Sequence, residues 1–116
     1  MLTQANTQNI HDICHLDDLV INSGVCALVD GMQVAIFTVS TGQETLYFAI
    51  SNWDPIGQAN VLYRGIVGTL KEKIVVASPL YKEHYDLASG NCIERDDVKV
   101  QTFPVHIEND RVLIEI

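Results

Sequence analysis

Short runs of apolar, β-branched and aromatic residues recur along this chain, and turn-forming residues separate them. The pairs Asp30-Gly31 and Asn109-Asp110 each lie between two such runs. Residues of these types accept the left-handed backbone that a two-residue hairpin requires. No long window repeats apolar residues at helical spacing. The pattern predicts an all-β fold of about ten short antiparallel strands, arranged as a sandwich or barrel.

The 116 residues suit a single domain. Residues 1–9 are polar and predict a flexible N-terminal tail, so the domain is expected at residues 10–116. Residues 52–64 and 78–83 lack a strand pattern, and we expect them to be loops, where binding residues concentrate on a β scaffold. Residues 98–108 read as one continuous strand.

Acidic residues outnumber basic ones by fifteen to seven, which gives a formal net charge of −8. Nucleic-acid binding depends on Lys and Arg, so neither nucleic acid nor an anionic membrane is an expected partner. No apolar run is long enough to span a bilayer, and the first residues lack the features of a signal peptide. We therefore expect a cytoplasmic protein.

Side chains that could carry chemistry are scattered. The three cysteines, Cys14, Cys26 and Cys92, are odd in number and far apart, which predicts reduced strand residues. There is no nucleophile elbow and no phosphate-binding glycine loop. We expect no catalytic, cofactor-binding or metal-ligating residue in this chain.

Two loop sequences carry a family resemblance. A strand ending in Asn52 leads into Trp53-Asp54-Pro55-Ile56-Gly57, and a later strand leads into Ser78-Pro79-Leu80-Tyr81. This arrangement resembles the cluster-binding half of Rieske-type ferredoxins, in which a Cys-Pro-His loop and a Cys-Pro-x-His-Gly loop hold an iron–sulfur cluster. The resemblance implies a Rieske-like antiparallel sandwich or barrel, with a small loop-rich subdomain at about residues 52–90.

The cluster-ligand positions of this chain hold other residues. A Rieske cluster needs two cysteine thiolates on one iron and two histidine imidazoles on the other. The resemblance places Asp54 and Ile56 at the first Cys and His positions, and Ser78 and Tyr81 at the second. Isoleucine has no lone pair to donate, and tyrosine is normally protonated. We therefore expect a Rieske-like domain without a cluster.

The sequences of both loops resemble those of one family, the small subunit of the cytoplasmic NADH-dependent nitrite reductase. The residues that carry the similarity include Asn52-Trp53-Asp54-Pro55, Ala77-Ser78-Pro79-Leu80 and Gly24-Val25-Cys26-Ala27-Leu28. The resemblance implies a large-subunit partner that carries FAD, siroheme and an iron–sulfur cluster and reduces nitrite to ammonia in nitrate assimilation. It implies an accessory role, without a redox group, for this chain.

Two other functions stay open at this point. An electron-carrying Rieske ferredoxin is disfavoured by the missing ligands, whereas a free-standing Rieske-like binding module fits the residues.

The shape of the two loops has two explanations. Ile56 and Leu80 could fill the vacated space as a small apolar core, or the loops could contact the large subunit. The residues expected at such an interface are Trp53, Tyr63, Arg64, Tyr81, Lys82 and His84.

Overall fold

The structure is a computed structural model, and it describes residues 9–116. Strands dominate this part of the chain, and its only helical elements are two 3-10 turns, Leu16–Asp18 and Leu62–Arg64. The strands are β1 (Ile10–His15), β2 (Ser23–Val29), β3 (Met32–Ser40), β4 (Thr45–Ser51), β5 (Trp53–Asp54), β6 (Ala59–Asn60), β7 (Ile66–Leu70), β8 (Lys73–Ala77), β9 (His84–Asp86), β10 (Thr102–Phe103), β11 (Val105–Glu108) and β12 (Arg111–Glu115). The all-β prediction is confirmed.

The strands form three antiparallel sheets and one short ladder. The largest sheet has the order β10-β4-β3-β2, and the second has the order β1-β12-β11. A third sheet, β7-β8-β9, and the two-stranded ladder β5-β6 lie within residues 52–90. The assignment of these residues to a separate subdomain stays a prediction.

Strand β3 lies at the centre of the fold because both of its faces are buried. All residues from 34 to 39 are buried, which is unusual for a strand of an antiparallel sheet. Val34 and Ile36 belong to one core cluster together with Ile114 of β12. The alternate residues, such as Phe37, belong to a second cluster with Val76 of β8. The largest sheet therefore has packed layers on both sides.

The predicted hairpin turns are present where the turn pairs stand. Asp30 and Gly31 join β2 to β3 with φ values of 51° and 78°, and Asn109 and Asp110 join β11 to β12 with φ values of 52° and 63°. These left-handed conformations match the twist of the flanking strands.

Two sequence predictions about elements were wrong. Residues 52–64 are not a plain loop, since they contain β5, β6 and a 3-10 turn, and Trp53 lies in β5. Residues 98–108 are not one strand, because the chain changes sheets at Pro104: β10 pairs with β4, and β11 pairs with β12. Proline has no N–H with which to continue a ladder.

The predicted tail at residues 1–9 lies outside the described residues, except for Asn9. The carbonyl oxygen of Asn9 accepts a hydrogen bond from the backbone N–H of Ile116 at 2.8 Å, so this residue joins the second sheet. No helix among the described residues has the length and apolar character needed to cross a membrane.

Candidate functional site

Asp54 joins two segments that the sequence predicts as loops. We call them the first tip loop (residues 52–58, which include β5) and the second tip loop (residues 78–83). Its side chain is fully buried. Oδ2 accepts a hydrogen bond from Ser78 Oγ at 2.5 Å. Oδ1 accepts hydrogen bonds from Tyr85 Oη at 2.8 Å and from the Ile56 backbone N–H at 3.0 Å. Asp54 and Ser78, which the sequence resemblance places at the cluster-cysteine positions, are therefore hydrogen-bonded to each other.

The charge state of this group follows from its donors. Burial acts to raise the pKa of the Asp54 carboxyl, but hydrogen bonds from Ser78, Tyr85, Gly57 and Ile56 outweigh it, so the pKa lies below the ordinary value of an aspartate. Burial, together with the hydrogen bond to Asp54, raises the pKa of Tyr85. At neutral pH the site is a carboxylate held by neutral hydroxyl and amide donors.

Ile56 and Tyr81, which the sequence resemblance places at the cluster-histidine positions, differ in exposure. Ile56 is half-buried and packs against the core cluster that contains Phe37. Tyr81 is 64% exposed. Leu80 is also exposed at 45%, so it does not form the buried apolar core that we considered. Its Cδ1 instead lies over Gly57, where an added Cβ would come within 2.5 Å of it.

Asn52 fixes the first tip loop to the largest sheet. The side chain is fully buried, and its Nδ2 donates a hydrogen bond to Gln33 Oε1 at 3.0 Å. Its Oδ1 accepts a hydrogen bond from the Tyr63 backbone N–H at 2.8 Å. Asparagine suits this position because it offers a donor and an acceptor at once.

Arg64 and Tyr63 form a local pair at the edge of the third sheet. Arg64 Nε donates a hydrogen bond to Tyr63 Oη at 2.9 Å, and the guanidinium carbon lies 5.4 Å from the centre of the tyrosine ring. The next residue must be small, since a Cβ on Gly65 would overlap the Ala77 carbonyl oxygen and the Val76 side chain. This close approach explains the glycine at position 65.

His84 is held by an acidic partner that the sequence did not suggest. Its backbone N–H donates to Glu94 Oε1 at 2.8 Å, and its Nδ1 lies 2.6 Å from Glu94 Oε2. Burial acts to raise the pKa of the Glu94 carboxyl, but the contacts with His84 outweigh it and lower the pKa. The two contacts hold the His84 ring and the Glu94 carboxylate together at the start of β9.

A cavity of about 390 Å³ lies beside the second tip loop. Its lining includes Arg64, Ile66, Pro79, Lys82 and His84. Three of the six residues expected at an interface thus share one surface feature. Trp53 is 45% exposed, and Tyr63 is half-buried against Arg64.

Sequence reasoning missed Tyr85, Glu94 and Ile66. Tyr85 lies in β9, just after the second tip loop, and nothing in the sequence links its hydroxyl to Asp54. The exposure of Ile66, at 77%, is not visible in an apolar strand sequence. Among the described residues, no three His, Cys, Asp or Glu side chains are grouped as metal ligands would be.

Comparison with known proteins identifies the family. The Rieske-like [2Fe-2S] domain family matches residues 9–115. The chain belongs to this family. The ferredoxin of carbazole 1,9a-dioxygenase from Nocardioides aromaticivorans, at 22% identity, has the same fold with a TM-score of 0.73 over 92% of this chain and 97% of the ferredoxin. The Rieske-like fold that the tip loops predict is confirmed.

Closer relatives of this Rieske-like chain narrow the family further. It is 39% identical over 98 residues to the nitrite reductase (NADH) small subunit of Salmonella typhimurium, which covers 84% of this chain and 89% of that protein. The solution structure of the nitrite reductase [NAD(P)H] small subunit from Erwinia carotovora has 40% identity and a TM-score of 0.76, and covers 93% of this chain and 82% of that one. This Rieske-like chain is therefore a member of the small-subunit family.

One further relative of the Rieske-like chain is much longer than it is. A protein from Klebsiella oxytoca named nitrite reductase [NAD(P)H] large subunit is 33% identical over 102 residues. The alignment covers 88% of this chain but only 10% of that protein. A domain of this kind is therefore also found within a longer chain.

Proposed function

We propose that this chain is the small subunit of an NAD(P)H-dependent nitrite reductase and supports the reduction of nitrite to ammonia by a large subunit in nitrate assimilation. The observation that carries the proposal is the 39% identity along 89% of the Salmonella typhimurium small subunit. The Klebsiella oxytoca relative supports it, because a similar domain there is part of a protein named as a large subunit. When two domains form one chain in one protein, their counterparts in another protein are expected to associate as separate chains.

The proposal includes the absence of a [2Fe-2S] cluster from this chain. Such a cluster needs two thiolates and two imidazoles. Asp54 and Ser78 stand where the thiolates are expected, and they satisfy each other and Tyr85 by hydrogen bonds. Ile56 offers no donor atom, and Tyr81 offers a phenol where an imidazole is required. These residues do not fit the cluster, so we assign it no step in the function of this chain.

The redox chemistry is assigned to the large subunit. Reduction of nitrite by a nicotinamide needs groups such as FAD, siroheme and an iron–sulfur cluster, since side chains cannot supply that chemistry. We place the complex in the cytoplasm. In this proposal the small subunit contributes a rigid surface, and the exposed side chains of the tip loops, Trp53 and Tyr81 among them, provide contacts with the large subunit.

Metal analysis tests the absence of the cluster. The chain is purified under anaerobic conditions, and its iron, acid-labile sulfide and visible absorption are measured. We expect a colourless protein with neither iron nor sulfide in stoichiometric amounts. Iron and sulfide in the ratio of a [2Fe-2S] cluster would overturn this part of the proposal.

Co-purification tests the role as a subunit. The tagged chain is expressed together with the large subunit from the same organism, and the retained proteins are identified. We expect the large subunit to be retained in a fixed ratio through size-exclusion chromatography. A free-standing binding module would leave the large subunit in the unbound fraction.

A further inference from the structure

We infer that the cavity beside the second tip loop receives an acidic side chain and a neighbouring apolar side chain from a segment of the large subunit. This inference rests on the proposed function and deepens it, because it states which chemistry the docking surface recognises. Its basis is the charge, exposure and fixed geometry of the residues that line the cavity.

The cavity is bordered by two cations that lack acidic partners. The chain has seven Lys and Arg residues for a net charge of −8. Lys73, Arg95 and Arg111 form ion pairs with carboxylates. Arg64 and Lys82 form none within residues 9–116, although acidic groups are abundant there. Four of the seven cations form no ion pair within residues 9–116, and two of these four, Arg64 and Lys82, border the same cavity.

The acidic residues near the cavity in sequence and space, Glu83 and Glu94, form no ion pair with its two cations. Both oxygens of Glu94 bond to His84, through its backbone N–H and its ring. Glu83 has a buried carboxylate oxygen, Oε2, with no hydrogen-bond partner. Neither carboxylate forms an ion pair with Arg64 or Lys82, so both cations can bind an incoming carboxylate directly.

Local contacts hold the Arg64 side chain and the Lys82 backbone at the edge of the cavity. Arg64 lies against the ring of Tyr63 and donates to its hydroxyl. Lys82 has a φ of 64°, and its backbone N–H donates to the Ser78 carbonyl oxygen at 3.0 Å. The Arg64 guanidinium is therefore already held by its neighbour, and binding a carboxylate there would cost little side-chain entropy, whereas Lys82 contributes a fixed backbone position and an exposed, flexible ammonium.

The floor of the cavity is apolar and accessible. Ile66 is 77% exposed and lines the cavity together with Pro79. Among the described residues, seven large hydrophobic side chains are exposed, and four of them lie in the tip loops or at the start of β7. These four are Trp53, Ile66, Leu80 and Tyr81. An apolar floor with a cationic edge fits an acidic side chain next to an apolar one better than it fits a free anion.

Charge reversal with a matched control tests this inference. Arg64→Glu with Lys82→Glu removes the positive edge. Lys71→Glu with Lys99→Glu makes the same change of net charge at two exposed lysines that also lack ion pairs within residues 9–116. Binding of each variant to the large subunit is measured by calorimetry, and circular dichroism checks that each is folded. We expect the Kd of the first variant to rise by about tenfold or more, and that of the control to change by less than about threefold.

Ile66→Ala gives a second readout that does not depend on charge. The side chain is largely exposed, so its loss should leave the melting temperature unchanged and raise the Kd by about tenfold. If the wild type binds the large subunit and every variant binds it with the same Kd, the inference is overturned and the proposed function stands. Failure of the wild-type chain to bind the large subunit would overturn both.

Other occupants of the cavity give distinct results. Calorimetry with sodium nitrite alone, and the oligomeric state of the isolated chain, are measured for the wild type and for the Arg64→Glu, Lys82→Glu variant. If the variant loses nitrite binding or dimerisation but still binds the large subunit as the wild type does, the inference is overturned. The occupant of the cavity would then be a free anion or a second copy of this chain. We expect neither.

Discussion

A buried carboxylate is costly unless its oxygens are satisfied, and the tip loops satisfy Asp54. Ser78 lies 24 residues away in sequence and Tyr85 lies 31 residues away, yet both hydroxyls donate to this one group. The carboxylate therefore ties two loops and a strand together.

Asp54→Asn tests the strength of this connection. The amide keeps the shape of the side chain but loses the charge and one acceptor, so we expect a loss of about 1–3 kcal/mol in the free energy of unfolding. Asp17→Asn, at a side chain that is 90% exposed, is the control and should change it by less than about 0.5 kcal/mol. Urea denaturation measures both. Equal effects would contradict the account.

The stabilising effect of Asp54 should depend on pH with a definite sign. Its pKa in the folded protein is lowered, so the unfolded chain takes up the proton first as the pH falls. The stability difference between the wild type and Asp54→Asn should be constant above about pH 5 and should shrink as the pH falls below about 4. Denaturation curves of both proteins across this range measure it. A difference that grows on acidification would show that the carboxylate is not the stabilised form.

At the scale of elements, β3 contributes residues to a core cluster on each of its faces. Phe37 is fully buried, whereas Leu28 on the neighbouring β2 is 73% exposed. We expect Phe37→Ala to cost about 3–5 kcal/mol of unfolding free energy. Leu28→Ala should cost less than about 0.5 kcal/mol. Thermal and urea denaturation compare the two, and similar costs would mean that β3 is not the centre of the core.

Local signals explain which elements could be predicted. The hairpin at Asp30-Gly31 is specified by the turn pair itself, so the sequence is sufficient. The ladder β5-β6 is different, because Asn52 holds it in place through Gln33 and Tyr63, which are distant in sequence. The change of sheet at Pro104 also had a local signal, because proline lacks the N–H that a continuing strand needs. The strand-like residues on both sides of Pro104 obscured that signal.

At the scale of the whole molecule, the resemblance located the site but could not give its contacts. The loop sequences placed Asp54 and Ser78 at equivalent positions, and the hydrogen bond between them follows from the fold. The exposure of Ile66 and the pairing of Glu94 with His84 depend on tertiary structure in the same way. Single-sequence patterns report the periodicity of burial and do not report which side chains meet.

The exposed aromatic residues of the tip loops predict a separation between binding and stability. Trp53 and Tyr81 are 45% and 64% exposed, so Trp53→Ala and Tyr81→Ala should leave the melting temperature within about 2 °C of the wild type. Each should weaken binding to the large subunit by about tenfold. Ile21→Ala, at a residue that is 61% exposed and outside the tip loops, is the control and should not alter binding. Unchanged binding in both tip variants would place the contact elsewhere.

Reconstitution of activity tests the central claim, that this chain serves a nitrite reductase as its small subunit. NADH- and NADPH-dependent formation of ammonia from nitrite is measured for the purified large subunit while this chain is titrated in. The account predicts that the rate rises and reaches a plateau at a fixed molar ratio of the two chains, although the added chain brings no iron. A rate that stays the same at every ratio, with no complex formed, would contradict it.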